Sequence, residues 1–219
     1  MNKKKITIID IGSGNILSIK RAFENCGAEV DVTKEKDKIL SSDKLVLPGV
    51  GAFKNAVNEL NSFNFFDIIS DKKFKQIPTL GICLGMQLLF DESEEFGKQD
   101  GLKLINGKVK KLPNLSTSGE KLKIPSIGWY QLILNNNLKG HKNEGFFNDF
   151  DEKSMFYFVH SYYAKITDNS SVLASYNFGG HLIPSIVAKD NIIGCQFHPE
   201  KSGLFGLRLI KNFISLSNY

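Results

Sequence analysis

Short β-rich runs alternate with amphipathic helical segments through the first half of the chain, and few architectures accommodate that rhythm. Ile6 to Ile9 reads as a strand, about Ile16 to Cys26 as a helix, and Val30 to Val32 and Leu45 to Leu47 as strands. Strands separated by helices predict a parallel sheet with helices on its faces. In the first helix Ile16, Ile19, Phe23 and Cys26 recur every three to four residues, giving one buried face, and Gly27 follows as a C′ glycine. Cys26 therefore reads as core packing.

Two further strand–loop–helix units follow. Leu45-Val46-Leu47 runs into Pro48-Gly49-Val50-Gly51, after which Ala52, Ala56, Val57 and Leu60 restart a helical period. Pro78 to Ile82 runs into Cys83 and then Leu84 to Phe90, which has helical character. Beyond the acidic stretch Asp91 to Glu95 the pattern changes to shorter, largely antiparallel strands: Lys108 to Leu112, Leu132 to Leu134, Met155 to Tyr163 and Val172 to Tyr176. A strand from Asn191 to Phe197, the segment His198 to Gly203 and a helix from about Gly206 to Leu216 close the chain. No linker, repeat or low-complexity tract divides the 219 residues, which read as one domain over 1–219.

Charge and cysteine usage exclude several function classes. The 28 basic and 23 acidic residues are interspersed from Lys3 to Lys211, so the net charge of +5 forms no stripe for nucleic acid. Lys108, Lys110 and Lys111 alternate with Val109 and Leu112 as the solvent face of a strand. The apolar run behind Lys3-Lys4-Lys5 is too short for a signal peptide or a membrane span. Cys26, Cys83 and Cys195 form no C-x-x-C pair, which predicts reduced thiols and a cytoplasmic protein.

Gly81-Ile82-Cys83-Leu84-Gly85 has the G-x-nucleophile-x-G form of a nucleophile elbow, with cysteine as the nucleophile. Glycines are needed there because a sharp strand-to-helix turn leaves no room for side chains, and the helix N-terminus favours thiolate over thiol. A buried structural cysteine on a glycine-rich turn is the alternative. His198 precedes Pro199, which biases it to an extended conformation, and Glu200 two residues on projects to the same side. Cys83, His198 and Glu200 thus supply nucleophile, base and orienting acid. The alternatives are a surface histidine or a metal pair, but His141, His160 and His181 show no spacing that would complete a zinc site, and no metal is expected. Backbone N–H groups of the Pro48–Gly51 loop, with that of Leu84, are placed to receive an oxyanion, and the loop's glycines permit peptide flipping. Asp10 to Asn15 also opens a helix after a strand. It lacks the third glycine of a dinucleotide fingerprint and the lysine of a P-loop, so it reads as a turn or a partner contact.

With these motifs the chain resembles the class I (triad) glutamine amidotransferases, and among them the glutaminase subunits of imidazole glycerol phosphate synthases. The segments that carry the likeness are I-D-x-G-x-G-N at 9–15, P-G-V-G-A-F at 48–53, G-I-C-L-G-M-Q at 81–87, F-V-H-S-Y-Y at 158–163, Q-F-H-P-E-K-S-G at 196–203 and G-L-R-L at 206–209, spread over nearly the whole length. The resemblance implies an α/β three-layer sandwich with a central, mostly parallel sheet and a smaller, largely antiparallel one. It implies hydrolysis of L-glutamine to glutamate and ammonia without a cofactor, Gly51 and Leu84 forming the oxyanion hole and Gly51, Gln87, Ser161 and Tyr162 holding glutamine. It also implies a heterodimer in which a (β/α)8 cyclase subunit takes the ammonia to make imidazole glycerol phosphate and aminoimidazole carboxamide ribonucleotide in histidine biosynthesis. Asn15, Trp129, Tyr157 and Lys201 then lie near that partner and the ammonia exit.

One segment departs from the family pattern. Members usually read P-H-[MI]-G-W-N where this chain has Pro125-Ser126-Ile127-Gly128-Trp129-Tyr130, which places two replaced residues, Ser126 and Tyr130, in a segment expected close to the partner face. A glutaminase serving another synthase, an independent cysteine hydrolase and a non-catalytic regulatory subunit are the competing readings.

Overall fold

The computed structural model describes residues 3–216. The first half builds β1 (Lys5–Ile9), β2 (Glu29–Thr33), β3 (Lys44–Leu47) and β4 (Thr79–Ile82), interleaved with α1 (Ile16–Asn25), α2 (Lys36–Leu40), α3 (Phe53–Ser62), α4 (Phe65–Ser70) and the short α5 (Leu84–Leu88). The second half adds β5 (Phe90–Ser93), β6 (Gln99–Asp100), β7 (Ile105–Lys111), β8 (Ser126–Gln131), β9 (Ile133–Leu134), β10 (Met155–His160), β11 (Tyr162–Ile166), β12 (Val172–Phe178), β13 (His181–Lys189), β14 (Ile192–Cys195) and the C-terminal α6 (Gly203–Ser215).

The central sheet runs β2-β1-β3-β4-β14-β13-β12-β9. Its first five strands are parallel, as the β/α rhythm predicts, and the last three are antiparallel. Successive side chains of a strand face opposite sides, so β1 sends Ile6 and Ile8 into one hydrophobic cluster and Ile9 into the other. The first cluster packs α1 and α6 through Phe23 and Phe213, and the second packs α3 and α5 through Phe53 and Leu84. The decisive topological fact is that β14, the last strand in sequence, lies directly beside β4. It brings the residues after Cys195 to the corner after Ile82.

Several expectations for the second half are corrected. Met155 to Tyr163 is two strands broken at Ser161: β10 pairs with β8 in a two-stranded ribbon, while β11 pairs with β7 in a four-stranded sheet with β5 and β6. The helix after Cys83 stops at Leu88 because the segment at 102–104 takes its last carbonyls, Leu102 N–H donating to Leu88 at 2.8 Å and Leu104 N–H to Leu89 at 2.9 Å. The acidic stretch becomes β5 and its neighbours, with Glu92 2.7 Å from Lys108 and Glu94 2.9 Å from Lys110 on the solvent side. α1 closes as expected, Gly27 at φ +93° donating to Glu24 O at 2.9 Å.

The far end of α6 is tied down by an unusual group. Lys44 is fully buried, its Nζ 2.7 Å from the Leu216 carbonyl and 5.6 Å from the Phe213 ring centroid. Burial, with Lys4 nearby, pushes its pKa down to about 8 against the opposing pull of Asp43. Among the described residues no helix is long and apolar enough to cross a membrane.

Candidate active site

The corner after β4 is built by backbone crowding. Cys83 takes φ +54° and ψ −108°, a conformation that costs a non-glycine residue on the order of 1–3 kcal/mol and persists only when its surroundings dictate it. Those surroundings are visible. A Cβ on Gly85 would lie 1.9 Å from the Leu47 carbonyl oxygen, and one on Gly81 would lie 2.8 Å from the Gly85 carbonyl oxygen. The Cys83 N–H donates to Cys195 O at 2.8 Å, tying the corner to β14. The sulfur thus heads a helix at the carboxyl end of parallel strands, where open α/β sheets place ligands.

His198 leaves β14 with its backbone held on both sides, its N–H donating to Tyr157 O at 3.0 Å and its carbonyl accepting from Ser202 Oγ at 2.6 Å. Its own conformation is extended, as expected before proline, but Pro199–Lys201 is a 3-10 turn, so His198 and Glu200 meet across a turn rather than along a strand. Nδ1 lies 2.8 Å from Glu200 Oε1, and both side chains are essentially inaccessible. A carboxylate can only accept, so Nδ1 carries the proton and Nε2 is left facing the nucleophile. Nε2 has no hydrogen-bond partner of normal geometry, yet Cys83 is close enough to act on it electrically. Burial opposes charge on the ring, but the Cys83 sulfur and the Glu200 carboxylate outweigh it and raise the His198 pKa to about 10.

Glu200 has a second support in Asn15. Asn15 is only 6% exposed, and its Nδ2 donates to Glu200 Oε1 at 3.1 Å. Ser13 Oγ donates to Asn15 Oδ1 at 2.6 Å and accepts from the Val50 N–H at 3.1 Å. The Asp10–Asn15 turn, itself closed by Gly12 N–H on Asp10 Oδ1 at 3.0 Å, therefore connects Glu200 to the Pro48–Gly51 loop.

That loop is not open to receive an anion. The Leu84 N–H, one of the two expected oxyanion donors, is 3.3 Å from the Gly49 carbonyl oxygen, and the Val50 N–H is taken by Ser13. Gly51 sits at φ +106°, which only glycine adopts readily, with nothing within 4 Å of where its Cβ would be.

A cavity of about 340 Å³ collects Gly51, Cys83, Leu84, Gln87, Ser161, Tyr162 and His198. Glu200 stands behind His198. Trp129, Tyr157 and Lys201 do not line the cavity; the Trp129 and Tyr157 rings are 5.8 Å apart and Trp129 is about half exposed. Gln87 Nε2 donates to Tyr162 O at 2.9 Å and to Gln196 Oε1 at 3.0 Å, and Gln196 Nε2 lies 3.8 Å from the Cys83 sulfur.

Gln196 and His160 fall within the motifs at 196–203 and 158–163 but carried no assigned role, and Glu95 falls in none. Gln196 carried a signal, since it is the one amide in the apolar run from Ile192 to Phe197 and is fully buried. Glu95 carried none that separates it from Glu94. It lines the cavity while its Oε2 accepts from Phe53 N–H at 2.7 Å, at the start of α3. His160 is buried, which pushes its pKa down to about 4 despite its bond to Tyr162.

The glutamine amidotransferase class-I family matches residues 7–216. The imidazole glycerol phosphate synthase subunit HisH of Lactococcus lactis subsp. lactis (strain IL1403) is 43% identical over 211 residues, covering 96% of this chain and 98% of that protein. The subunit of the same name from Syntrophotalea carbinolica is 42% identical over 209 residues, 95% of this chain and 98% of its own length. Among solved structures, PurLQS from Thermotoga maritima superposes with a TM-score of 0.67 over 97% of this chain and 98% of that chain, at 20% identity, a likeness of fold.

Proposed function

The chain belongs to the class-I glutamine amidotransferases and is a glutaminase, and from that premise we infer that it works in the cytoplasm, as one domain over 1–219, as the ammonia-producing subunit of an imidazole glycerol phosphate synthase in histidine biosynthesis. What supports the chemistry most is the His198 ring, clamped through Nδ1 by Glu200 at 2.8 Å so that its unpartnered Nε2 faces Cys83 on the elbow.

The Cys83 thiolate attacks the side-chain amide carbon of glutamine, His198 protonates the departing ammonia, and the resulting thioester is hydrolysed by a water that His198 deprotonates. Glu200 keeps the imidazole in one tautomer and stabilises its charged form, and Asn15 holds Glu200. Gly51, Gln87, Ser161 and Tyr162 cradle the substrate, with Glu95 as the carboxylate available to its α-ammonium group. Before the tetrahedral intermediate can be stabilised, the Gly49 carbonyl must leave the Leu84 N–H and the Val50 N–H must leave Ser13. The glycines at 49 and 51 leave the loop the backbone freedom for that rotation.

Ammonia released into neutral water is mostly protonated and ceases to be a nucleophile, so it is delivered to a docked (β/α)8 cyclase subunit. Trp129, Tyr157 and Lys201 face that partner. Glutamine hydrolysis is measured for the purified chain alone and with the cyclase subunit and its ribonucleotide ligand, with Cys83→Ala as control. Strong cysteine-dependent stimulation is expected; hydrolysis indifferent to the cyclase would keep the glutaminase and remove the partner.

A further inference from the structure

The two departures from the family pattern, Ser126 and Tyr130, do not face outward. Ser126, Gly128 and Tyr130 share the inner face of β8, while Ile127 and Trp129 on the other face are 56% and 49% exposed. Ser126 is only 1% exposed, and a Cβ on Gly128 would lie 3.5 Å from Tyr130 Cε2. The Tyr130 ring therefore folds back over the bare glycine, and its Oη comes within 3.1 Å of Ser126 Oγ. A small residue at 126 and a large one at 130 answer each other across one glycine.

The contact continues inward. Ser126 Oγ is 3.3 Å from Tyr176 Oη, which is 2.9 Å from His160 Nε2, and His160 Nδ1 is 2.8 Å from the Tyr162 carbonyl oxygen. That carbonyl can only accept, so Nδ1 carries the ring's proton, and the Tyr176 hydroxyl bridges Nε2 and Ser126 Oγ. The same carbonyl takes Gln87 Nε2 as its second donor, and Gln87 leads through Gln196 to the Cys83 sulfur. Both lone pairs of the Tyr162 carbonyl are then engaged, and the Gln87 amide is fixed with Nε2 inward, leaving Oε1 as its free polar atom for a donor on the substrate.

We propose that Ser126, Tyr130 and Tyr176, none of which lines the cavity, are positioning residues whose hydroxyls fix the His160 ring and through it the Tyr162 carbonyl and the Gln87 amide that receive glutamine. The inference rests on the glutaminase reading. It also makes the two departures one coupled change inside the subunit rather than two adjustments to a partner.

The test is steady-state glutaminase kinetics, with the synthase partner present, of Tyr130→Phe and Tyr176→Phe, each lacking one oxygen. Loss of one hydrogen bond of this kind changes an equilibrium about five-fold, so KM for glutamine rises about three- to ten-fold while kcat stays within about two-fold. Ser126→Ala follows the phenylalanine variants and Ser126→Thr, which keeps the hydroxyl, stays near wild type. Folded variants with unchanged KM, or with a fall confined to kcat, would overturn the proposal and reduce the ladder to packing. Should Tyr176→Phe fail to fold, the half-buried Tyr130→Phe decides the matter alone. A wild-type protein that does not hydrolyse glutamine would instead remove the glutaminase reading, and this inference with it.

Discussion

The two halves of the catalytic centre differ in how firmly they are set. Cys83, His198 and Glu200 are held by crowded backbone: a glycine with no space for a methyl group, a strand-to-strand amide bond at 2.8 Å, and a His–Glu contact closed off from solvent. The Pro48–Gly51 loop facing them is held by one bond near the long end of the normal range, 3.1 Å from Val50 to Ser13, and one just beyond it, 3.3 Å from Leu84 to Gly49. Nucleophile and base are ready while the electrostatic support for the transition state is withheld. If the proposed partner controls turnover, the weaker half is where it would act, because two hydrogen bonds worth about 1 kcal/mol each are within reach of a partner's binding energy and a packed elbow is not.

Removing the firm half has the largest effect. Cys83→Ala lowers glutamine turnover by about 10⁴-fold or more without loss of melting temperature, read by coupled glutamate detection and calorimetry; residual activity near wild type would mean that the elbow is not the reaction centre. Weakening the clamp sharpens the contrast. Glu200→Gln removes one of the two groups, with Cys83, that raise the His198 pKa to about 10, so kcat falls about 10- to 100-fold and the alkaline limb of the pH–rate profile moves to lower pH.

Freeing the soft half acts in the opposite direction. Ser13→Ala releases the Val50 N–H and raises the unstimulated rate of the isolated chain about five-fold, the equivalent of one hydrogen bond. A fall in that rate would show that Ser13 serves Asn15 and Glu200 more than it restrains the loop. The last effect lies in stability and leaves turnover aside. His160 has a folded pKa of about 4, below its ordinary 6.5, so the unfolded chain takes up the proton first. The stability His160 contributes is present above pH 6.5 and is lost as pH falls to 4, a change of at most about 3 kcal/mol. The melting-temperature advantage of wild type over His160→Gln accordingly shrinks across that window, and a constant advantage would show that the ring is protonated in the folded state.

Most of the parallel half of the sheet was legible in the sequence because β1, β3 and β4 are buried on both faces and α1 and α3 carry a periodic apolar stripe. The elbow at Cys83 was legible because its glycine spacing encodes backbone geometry, whereas His198 and Glu200 meet through a 3-10 turn and not along the extended segment that their spacing suggested. What escaped was set by distant partners. Ser161 breaks Met155–Tyr163 because one side must meet β8 and the other β7, a choice invisible in a continuous β-rich run. β13 was missed across Pro184, which argues locally against a strand but lies beyond the Ile186–Lys189 stretch that pairs with β14. The bond from Asn15 to Glu200 was not legible, because nothing in residues 10–15 reveals that Glu200, 185 positions away, lies beside them.

The carbonyl of Gly49 resting on the Leu84 amide has a meaning at the scale of the cell. Glutamine is the common nitrogen currency of biosynthesis, and a subunit made in excess of its partner would drain that pool if its site were fully assembled. On the proposed reading, a carbonyl resting on that amide makes turnover wait for whatever rotates the loop, so a subunit without its acceptor would leave the glutamine pool intact.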